Sequence, residues 1–121
     1  MVVPKKTLTL FLQNNELRTL KGMAEVLEVV MWNSRNLLWI DLSYNFLTTI
    51  EEELLEFPEL RNLYLHGNYI ANLDHTKKLQ KFEDLQSLTL YGNPIEQVKG
   101  YRMYVLGVMY QNNNQNLRRL D

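Results

Sequence analysis

Leucine and isoleucine recur along this chain at fixed distances from an asparagine. Four segments fit the pattern L-x-x-L-x-L-x-x-N-x-L, with isoleucine allowed for leucine and Thr7 as the one departure. They span residues 7–17, 37–47, 60–70 and 85–95. Their asparagines follow one another at intervals of 23 to 30 residues. A period of this length indicates a fold built from repeating units.

Each copy predicts a short β-strand. Its two central apolar residues are separated by one residue, so both side chains point to the same face. Stacked copies therefore predict a parallel sheet whose buried face is a column of leucines. A further copy begins at Leu117 and Leu120. The central apolar pairs are Leu10 and Leu12, Ile40 and Leu42, Leu63 and Leu65, and Leu88 and Leu90.

The asparagine of each copy predicts a structural role. After the strand the chain must turn back, and the turn leaves backbone groups in need of partners. An asparagine side chain has both donors and an acceptor, so it can bond the turn and the neighbouring coil. These ladder residues are Asn15, Asn45, Asn68 and Asn93.

Between consecutive strands, the chain is predicted to run back along the opposite, convex side of the sheet. Residues 21–32 predict a helix with Met23, Val26, Leu27 and Val30 on its apolar side. Residues 99–110 predict a second amphipathic helix, with Tyr101, Val105 and Val108 on one side. Two shorter returns carry the pairs Leu54 and Phe57, and Leu79 and Phe82. The polar run 111–116 predicts a loop.

These residues resemble the leucine-rich repeat superfamily, in its short-repeat, intracellular, phosphatase-regulator-like class. The resemblance implies an α/β solenoid: a right-handed superhelix with a parallel β-sheet on the concave face and helices or turns on the convex face. We expect a single domain over residues 1–121, with repeats near 7–36, 37–59, 60–84 and 85–110. The segment 99–121 resembles the C-terminal cap of that class.

Four further stretches resemble one family within this class. They are LWIDLSYN, LYLHGN, LTLYGNP and KGYRMYVL. Members of that family occur in organisms with motile cilia and have no known enzymatic activity. The resemblance therefore implies a binding module in a ciliary, axonemal or cytoskeletal assembly. Six residues precede the first repeat, fewer than in that family. We therefore expect the two ends of the sheet to be capped by residues missing from this sequence or covered by partners.

Composition and charge narrow the range of possible functions. The chain has 121 residues, of which 13 are Lys or Arg and 14 are Asp or Glu, giving a net charge of −1. Such a balance gives no overall attraction to nucleic acid or anionic membrane. The chain has no cysteine, which excludes disulfides and thiol chemistry. With no apolar run long enough for a membrane span and no signal-peptide pattern, we expect a cytoplasmic protein.

The chemistry of enzymes and cofactors is absent from the sequence pattern. The spacing of the glycines forms no phosphate loop or dinucleotide fingerprint, and the two histidines lie nine residues apart without a zinc motif. We expect no enzyme activity, no cofactor, no metal and no small-molecule substrate. The charged runs Glu51–Glu53 and Lys77, Lys78 and Lys81 are interpreted as solvated surface.

Aromatic residues mark the candidate binding surface. Strand residues that alternate with the leucine column point to the concave face, where a merely solvated sheet favours Thr, Lys, Glu and Ser. Here that face carries aromatic side chains, which are frequent at the centres of protein interfaces. Asp41 and His66 lie among them and are expected to orient a ligand. The predicted partner-binding residues are Phe11, Trp39, Asp41, Tyr44, Tyr64, His66 and Tyr91.

Alternatives to partner binding remain open from the sequence. The rings can instead cover one another as cross-strand pairs. An RNA–protein adaptor, as in splicing-associated relatives of the same repeat class, would use Trp39, Tyr64 and Tyr91 to stack on bases. Against it, the concave positions of the four full repeats carry Asp41 and no Lys or Arg for phosphate contacts. A phosphatase-regulator-like subunit is a further alternative.

Overall fold

The computed structural model describes residues 9–30, 34–110 and 117–121 of the chain. The strands are Thr9–Phe11 (β1), Trp39–Asp41 (β2), Asn62–Tyr64 (β3), Ser87–Thr89 (β4) and Arg119–Leu120 (β5). They form one parallel sheet in the order β1-β2-β3-β4-β5. Consecutive strands are therefore neighbours in space, as a solenoid requires.

The predicted leucine column forms the inner face of this sheet. The register aligns Leu10, Ile40, Leu63, Leu88 and Leu120 across the strands. Ile40, Leu63 and Leu88 are fully buried, whereas Leu10 in the first strand is half-buried. The α/β solenoid with a parallel sheet on one face and helices and turns on the other is confirmed.

The convex returns contain two α-helices and several tighter turns. Helix α1 is Met23–Val30 and helix α2 is Tyr101–Tyr110. The 3₁₀ segments are Ser34–Asn36, Glu52–Glu56, Leu73–Lys81 and Pro94–Gln97. The short segments bury the residues that the sequence placed there, including Leu54, Phe57, Leu79 and Phe82.

Helix α1 differs from its prediction in two respects. It begins at Met23 rather than at residue 21, and the predicted end at residue 32 lies outside the described residues. The prediction that Val26 lies on the apolar side is wrong, because its side chain is 59% exposed. Leu27 is buried and adjacent residues on a helix point about 100° apart, so Val26 turns away from the core.

Helix α2 follows its prediction closely. Tyr101, Val105 and Val108 are all buried, and the helix packs against the Leu73–Lys81 segment. It starts two residues later than predicted, at Tyr101. Gly100, the residue before it, has a positive φ of 79° and is therefore not part of the helix. The loop predicted over residues 111–116 lies outside the described residues.

The interpretation of Lys78 as solvated surface is wrong. Its ammonium group donates to the Ile50 carbonyl oxygen at 3.0 Å, and the side chain is half-buried. This bond supplies the Ile50 carbonyl oxygen with a hydrogen-bond donor. Lys77 and Lys81 are exposed, and Lys77 lies 3.5 Å from Asp74 in an ion pair.

Candidate functional site

The asparagines of the second, third and fourth repeats bridge neighbouring coils. Asn68 donates through Nδ2 to the carbonyl oxygens of Leu42 and Leu65, both at 3.0 Å, and accepts through Oδ1 from the Leu47 amide at 3.0 Å. Asn45 and Asn93 have the same arrangement of bonds. All three side chains are at least 97% buried. Each therefore satisfies backbone groups of two repeats at once.

Asn15 differs from the other three. Its side chain is exposed and donates to the carbonyl oxygen of Gln13 in its own turn at 3.0 Å. Its backbone amide donates to Asn45 Oδ1 at 2.9 Å. Asn15 is thus held by the next repeat, and its own side chain bonds within its turn.

The aromatic residues of the concave face form a continuous row across the sheet. Neighbouring rings meet in this order: Phe11 and Trp39 at 6.3 Å between centroids, Trp39 and Tyr64 at 5.5 Å, Tyr64 and His66 at 6.1 Å, and His66 and Tyr91 at 4.5 Å. The first two pairs meet edge to face, and His66 and Tyr91 are stacked within 8° of parallel. We call this set, with Tyr44, the aromatic row.

The aromatic row is covered in part by its own contacts. Trp39, Tyr64 and His66 are half-buried, as the cross-strand alternative expected. Phe11 and Tyr91 at its two ends remain 60% and 40% exposed. The rings therefore fix one another and still present apolar surface to solvent.

Tyr44 has an unusual backbone for its residue type. Its φ is 55°, in the left-handed region. The matching positions of the other three repeats also have positive φ, and there the residues are Asn14, Gly67 and Gly92. Asparagine and glycine tolerate this conformation, whereas a tyrosine in it is strained.

Gly67 leaves room for the Tyr44 ring. A Cβ atom at Gly67 would lie 2.5 Å from Tyr44 Cδ1, a distance that a real side chain cannot adopt. The ring also contacts His66 edge to face at 5.3 Å, and it is 54% exposed. The strained tyrosine and the glycine beside it thus together place an aromatic ring at the end of β2.

His66 is held in one orientation. Its Nδ1 lies 2.7 Å from the hydroxyl of Thr89, and that hydroxyl oxygen also accepts from the Leu65 amide at 3.2 Å. Burial lowers the pKa of His66 below its usual 6.5, against the opposing effect of the Asp41 and Asp121 charges. His66 is therefore a neutral ring at neutral pH.

Asp41 is the acidic residue among the described strand residues of this face. Its Oδ1 accepts from the Ser43 amide at 3.0 Å and from the Ser43 hydroxyl at 2.7 Å. In register it lies between Phe11 of β1 and Tyr64 of β3. Among the described residues, no Lys or Arg forms an ion pair with it. Asp41 and His66 share the concave face, and each is bonded to a neighbouring hydroxyl group.

Three polar residues make bonds at this surface that the sequence does not predict. Thr89 and Ser43 fix His66 and Asp41, and both are buried. Asp121 accepts from the amide of Tyr91 at 3.1 Å and from the hydroxyl of Tyr101. Sequence spacing places Thr89 and Ser43 on the face but gives no sign of these bonds.

A shallow groove of about 500 Å³ continues from Tyr91 toward helix α2. Its lining includes Glu96, Tyr101, Arg102 and Asp121. The Tyr91 hydroxyl is less acidic than usual, because partial burial, the nearby Tyr44 hydroxyl and the charges of Asp121 and Asp41 all raise its pKa. Tyr91 therefore stays a neutral hydrogen-bonding group at the edge of the groove.

The described part of the chain contains neither a cluster of metal-ligating side chains nor a membrane-spanning helix. Within it, no three His, Cys, Asp or Glu side chains are grouped so as to hold a metal ion. Neither α1 nor α2 is long and apolar enough to cross a membrane. The features that remain are the sheet, its asparagines and the aromatic row.

Comparison with known proteins agrees with this geometry. The family described as "Leucine rich repeat" matches residues 32–70, which include β2 and β3. Leucine-rich repeat-containing protein 51 of Rattus norvegicus is 51% identical over 100 residues, covering 83% of this chain and 52% of that protein. This chain is a leucine-rich repeat protein. It spans about half the length of the curated relatives named protein 51 that it matches.

More distant similarities concern the repeat itself. Acidic leucine-rich nuclear phosphoprotein 32 family member A of Drosophila melanogaster is 35% identical over 94 residues, or 78% of this chain and 33% of that protein. A chain of the Chaetomium Mex67:Mtr2 structure aligns with 93% of this chain and 52% of its own length, at 22% identity and a TM-score of 0.43. The fold assignment rests on the sheet and on the repeat.

Proposed function

We propose that this leucine-rich repeat protein is a non-enzymatic interaction module that binds a protein partner on its concave face. The observation that carries the proposal is the aromatic row, whose rings contact one another across four strands and remain partly exposed. Aromatic side chains dominate the energetics of protein interfaces because they bury a large area. Rings already fixed by their neighbours lose little rotamer freedom on binding.

The strained backbone of Tyr44 supports the same function. Its exposed ring stands where the other repeats have Asn or Gly, so the fold itself does not require tyrosine there. Strain of this kind persists where a side chain serves a purpose other than stability. We take the purpose to be contact with the partner.

The setting we propose is a ciliary, axonemal or cytoskeletal assembly in the cytoplasm. Its support is the resemblance of the repeats to a family from organisms with motile cilia. The partner is a protein of that assembly, and the chain acts there as a scaffold without cofactor or small-molecule substrate.

The test compares three tagged forms of the chain in lysates of ciliated cells. The face variant carries Phe11→Ser, Tyr44→Ser and Tyr91→Ser, which remove exposed rings from the aromatic row. The control variant carries Val26→Ser, Val29→Ser and Tyr110→Ser, which remove exposed apolar side chains from the two helices. Captured proteins are quantified by mass spectrometry.

We expect axonemal or cytoskeletal proteins to be captured by the wild type and by the control variant, and to be lost from the face variant. Proteins retained equally by the face variant would show that the concave face is not the binding surface. Specific capture of proteins from another compartment would contradict the ciliary setting and leave the interaction function in place.

A further inference from the structure

The Asp41 carboxylate lies among the rings of the aromatic row, and Asp121 lies at the Tyr91 end. In register Asp41 has Phe11 on one side and Tyr64 on the other, and Trp39 faces the same way two residues earlier in its own strand. Neighbouring strands lie about 4.8 Å apart, so these rings flank the carboxylate closely. The side-chain hydrogen bonds of Asp41 in the described chain come from Ser43, which is neutral.

Basic side chains are remote from this charge on the same face. Among the described strand residues that alternate with the leucine column, the basic side chain is Arg119, on β5. Three strand spacings separate β5 from β2, which amounts to roughly 14 Å. A partly desolvated carboxylate without a cation nearby favours a ligand that brings one.

The rings themselves favour a cation. The faces of Trp and Tyr rings are electron-rich and attract a guanidinium or ammonium group placed over them. The stacked pair of His66 and Tyr91 offers a flat surface on which a planar guanidinium can lie. His66 is neutral, so it adds no positive charge to oppose such a ligand.

We propose that the concave face recognises a basic segment of its protein partner, with an arginine side chain held between Asp41 and the rings of the aromatic row. The guanidinium donates to the free oxygen of the Asp41 carboxylate and lies against the neighbouring rings. This assignment rests on the proposed interaction function and specifies the chemistry of the partner.

The experiment uses defined peptides in place of the partner. A fluorescein-labelled peptide of alternating glycine and arginine is titrated with the full chain at physiological salt, and fluorescence anisotropy gives its Kd. A matched peptide has citrulline at each arginine position, which keeps the shape and removes the charge. A lysine peptide of the same length tests whether the planar group matters.

Two variants locate the binding site. Asp41→Asn keeps an oxygen acceptor for Ser43 and removes the charge. Glu52→Gln removes one negative charge from an exposed position in the 3₁₀ segment Glu52–Glu56 on the convex side, so the two variants have the same net charge. Thermal unfolding of both shows that they are folded.

We expect the citrulline peptide to bind about fivefold more weakly than the arginine peptide, and Asp41→Asn to weaken arginine binding by a similar factor. Glu52→Gln should bind like the wild type. Equal binding of the arginine and citrulline peptides, or equal losses in the two variants, would overturn the inference. Stronger binding of the lysine peptide would also overturn it, because the planar contact would then be unimportant.

This result is independent of the capture experiment. If the face variant loses its partners while arginine and citrulline bind alike, the face is an interface for a partner of different chemistry. If neither the partners nor the peptides depend on the face, the proposed function fails as well.

Discussion

At the scale of single residues, Tyr44 has a backbone conformation that disfavours tyrosine, and its ring is exposed on the concave face. A left-handed backbone destabilises an ordinary L residue by roughly 1–2 kcal/mol. The same position in the other repeats has Asn14, Gly67 and Gly92, which avoid most of this strain. The Tyr44 ring recovers part of it through its contact with His66.

Replacing Tyr44 with glycine should therefore separate stability from binding. We expect Tyr44→Gly to keep the free energy of unfolding within about 1 kcal/mol of the wild type, because relief of backbone strain offsets the lost ring contact and the flexibility of glycine. Urea denaturation measures this, and partner capture should fall in the same variant. A loss of more than about 2 kcal/mol would show that the ring is needed for the fold.

Gly67 provides a control for the Tyr44 geometry. Gly67→Ala should be destabilising, because the new Cβ meets the Tyr44 ring and because φ is 73°. In a Tyr44→Gly background the clash is removed and the φ effect remains. The loss caused by Gly67→Ala should thus be smaller in the double variant, and equal losses in both backgrounds would contradict the packing described for the ring.

His66 makes the stability of the folded chain dependent on pH. Because burial lowers its pKa in the folded state below the usual 6.5, protonation favours the unfolded chain. The stabilising contribution is present above pH 6.5 and is lost as the pH falls through the folded-state pKa. We expect the urea midpoint to decrease on acidification from about pH 7.5 to about pH 5.

A histidine variant identifies the source of this pH effect. His66→Gln should flatten the dependence over that range, whereas His75→Gln should retain it. The chain has two histidines, so the pair of variants covers both. An unchanged slope in His66→Gln would assign the effect to other groups.

At the scale of the repeat, the buried asparagines connect one coil to the next. Removing the Asn68 side chain leaves the carbonyl oxygens of Leu42 and Leu65 and the amide of Leu47 without this partner. We expect Asn68→Ala to lower the free energy of unfolding by roughly 1–3 kcal/mol, the range for buried polar groups left unpaired. Chemical denaturation checks the value.

Asn15 is the matched control, since it has the same place in its repeat and an exposed side chain. Asn15→Ala should change stability by less than about 0.5 kcal/mol, as is usual for surface substitutions. Equal losses at the two positions would mean that the repeat position, and not the burial of the bonds, determines the effect.

The strands and their order could be predicted from the sequence. Leucines at every second position indicate each strand, and the asparagine that recurs with them shows that the unit is repeated. The outcome for Val26 and Lys78 could not. Amphipathic periodicity gives the side of a helix only to within a residue, and a lysine bonded to a distant carbonyl leaves no local pattern. Such contacts depend on how the returns pack together.

The sequence predicts which strand side chains share the concave face, but it does not predict how they are arranged there. Alternation along each strand placed Phe11, Trp39 and Tyr64 on one face. The stacking of His66 on Tyr91 and the left-handed turn at Tyr44 depend on side-chain and backbone angles that no spacing encodes. The assignment of these residues to partner binding stays a prediction for the capture experiment.

At the scale of the whole molecule, the sheet joins the repeats into one surface whose character is aromatic and weakly acidic. The net charge is −1, and Asp41 lies within the aromatic row. Rings of this kind can stack on bases, which is why an RNA adaptor is the competing function. Binding to single-stranded RNA also needs cations along the backbone, however, and the phosphate contacts make it strongly dependent on salt.

We therefore expect little RNA binding, with a shallow dependence on salt. A fluorescently labelled single-stranded oligonucleotide titrated at several salt concentrations gives the slope of log K against log salt, and that slope measures the phosphates neutralised, at about 0.7 per phosphate for a single strand. A surface that binds through stacked rings without neutralising phosphates should give a slope near zero. A steep slope that is reduced by Arg119→Gln and is unaffected by loss of the Tyr64 ring would favour the RNA adaptor, since Arg119 is the basic strand residue of this face in the described chain.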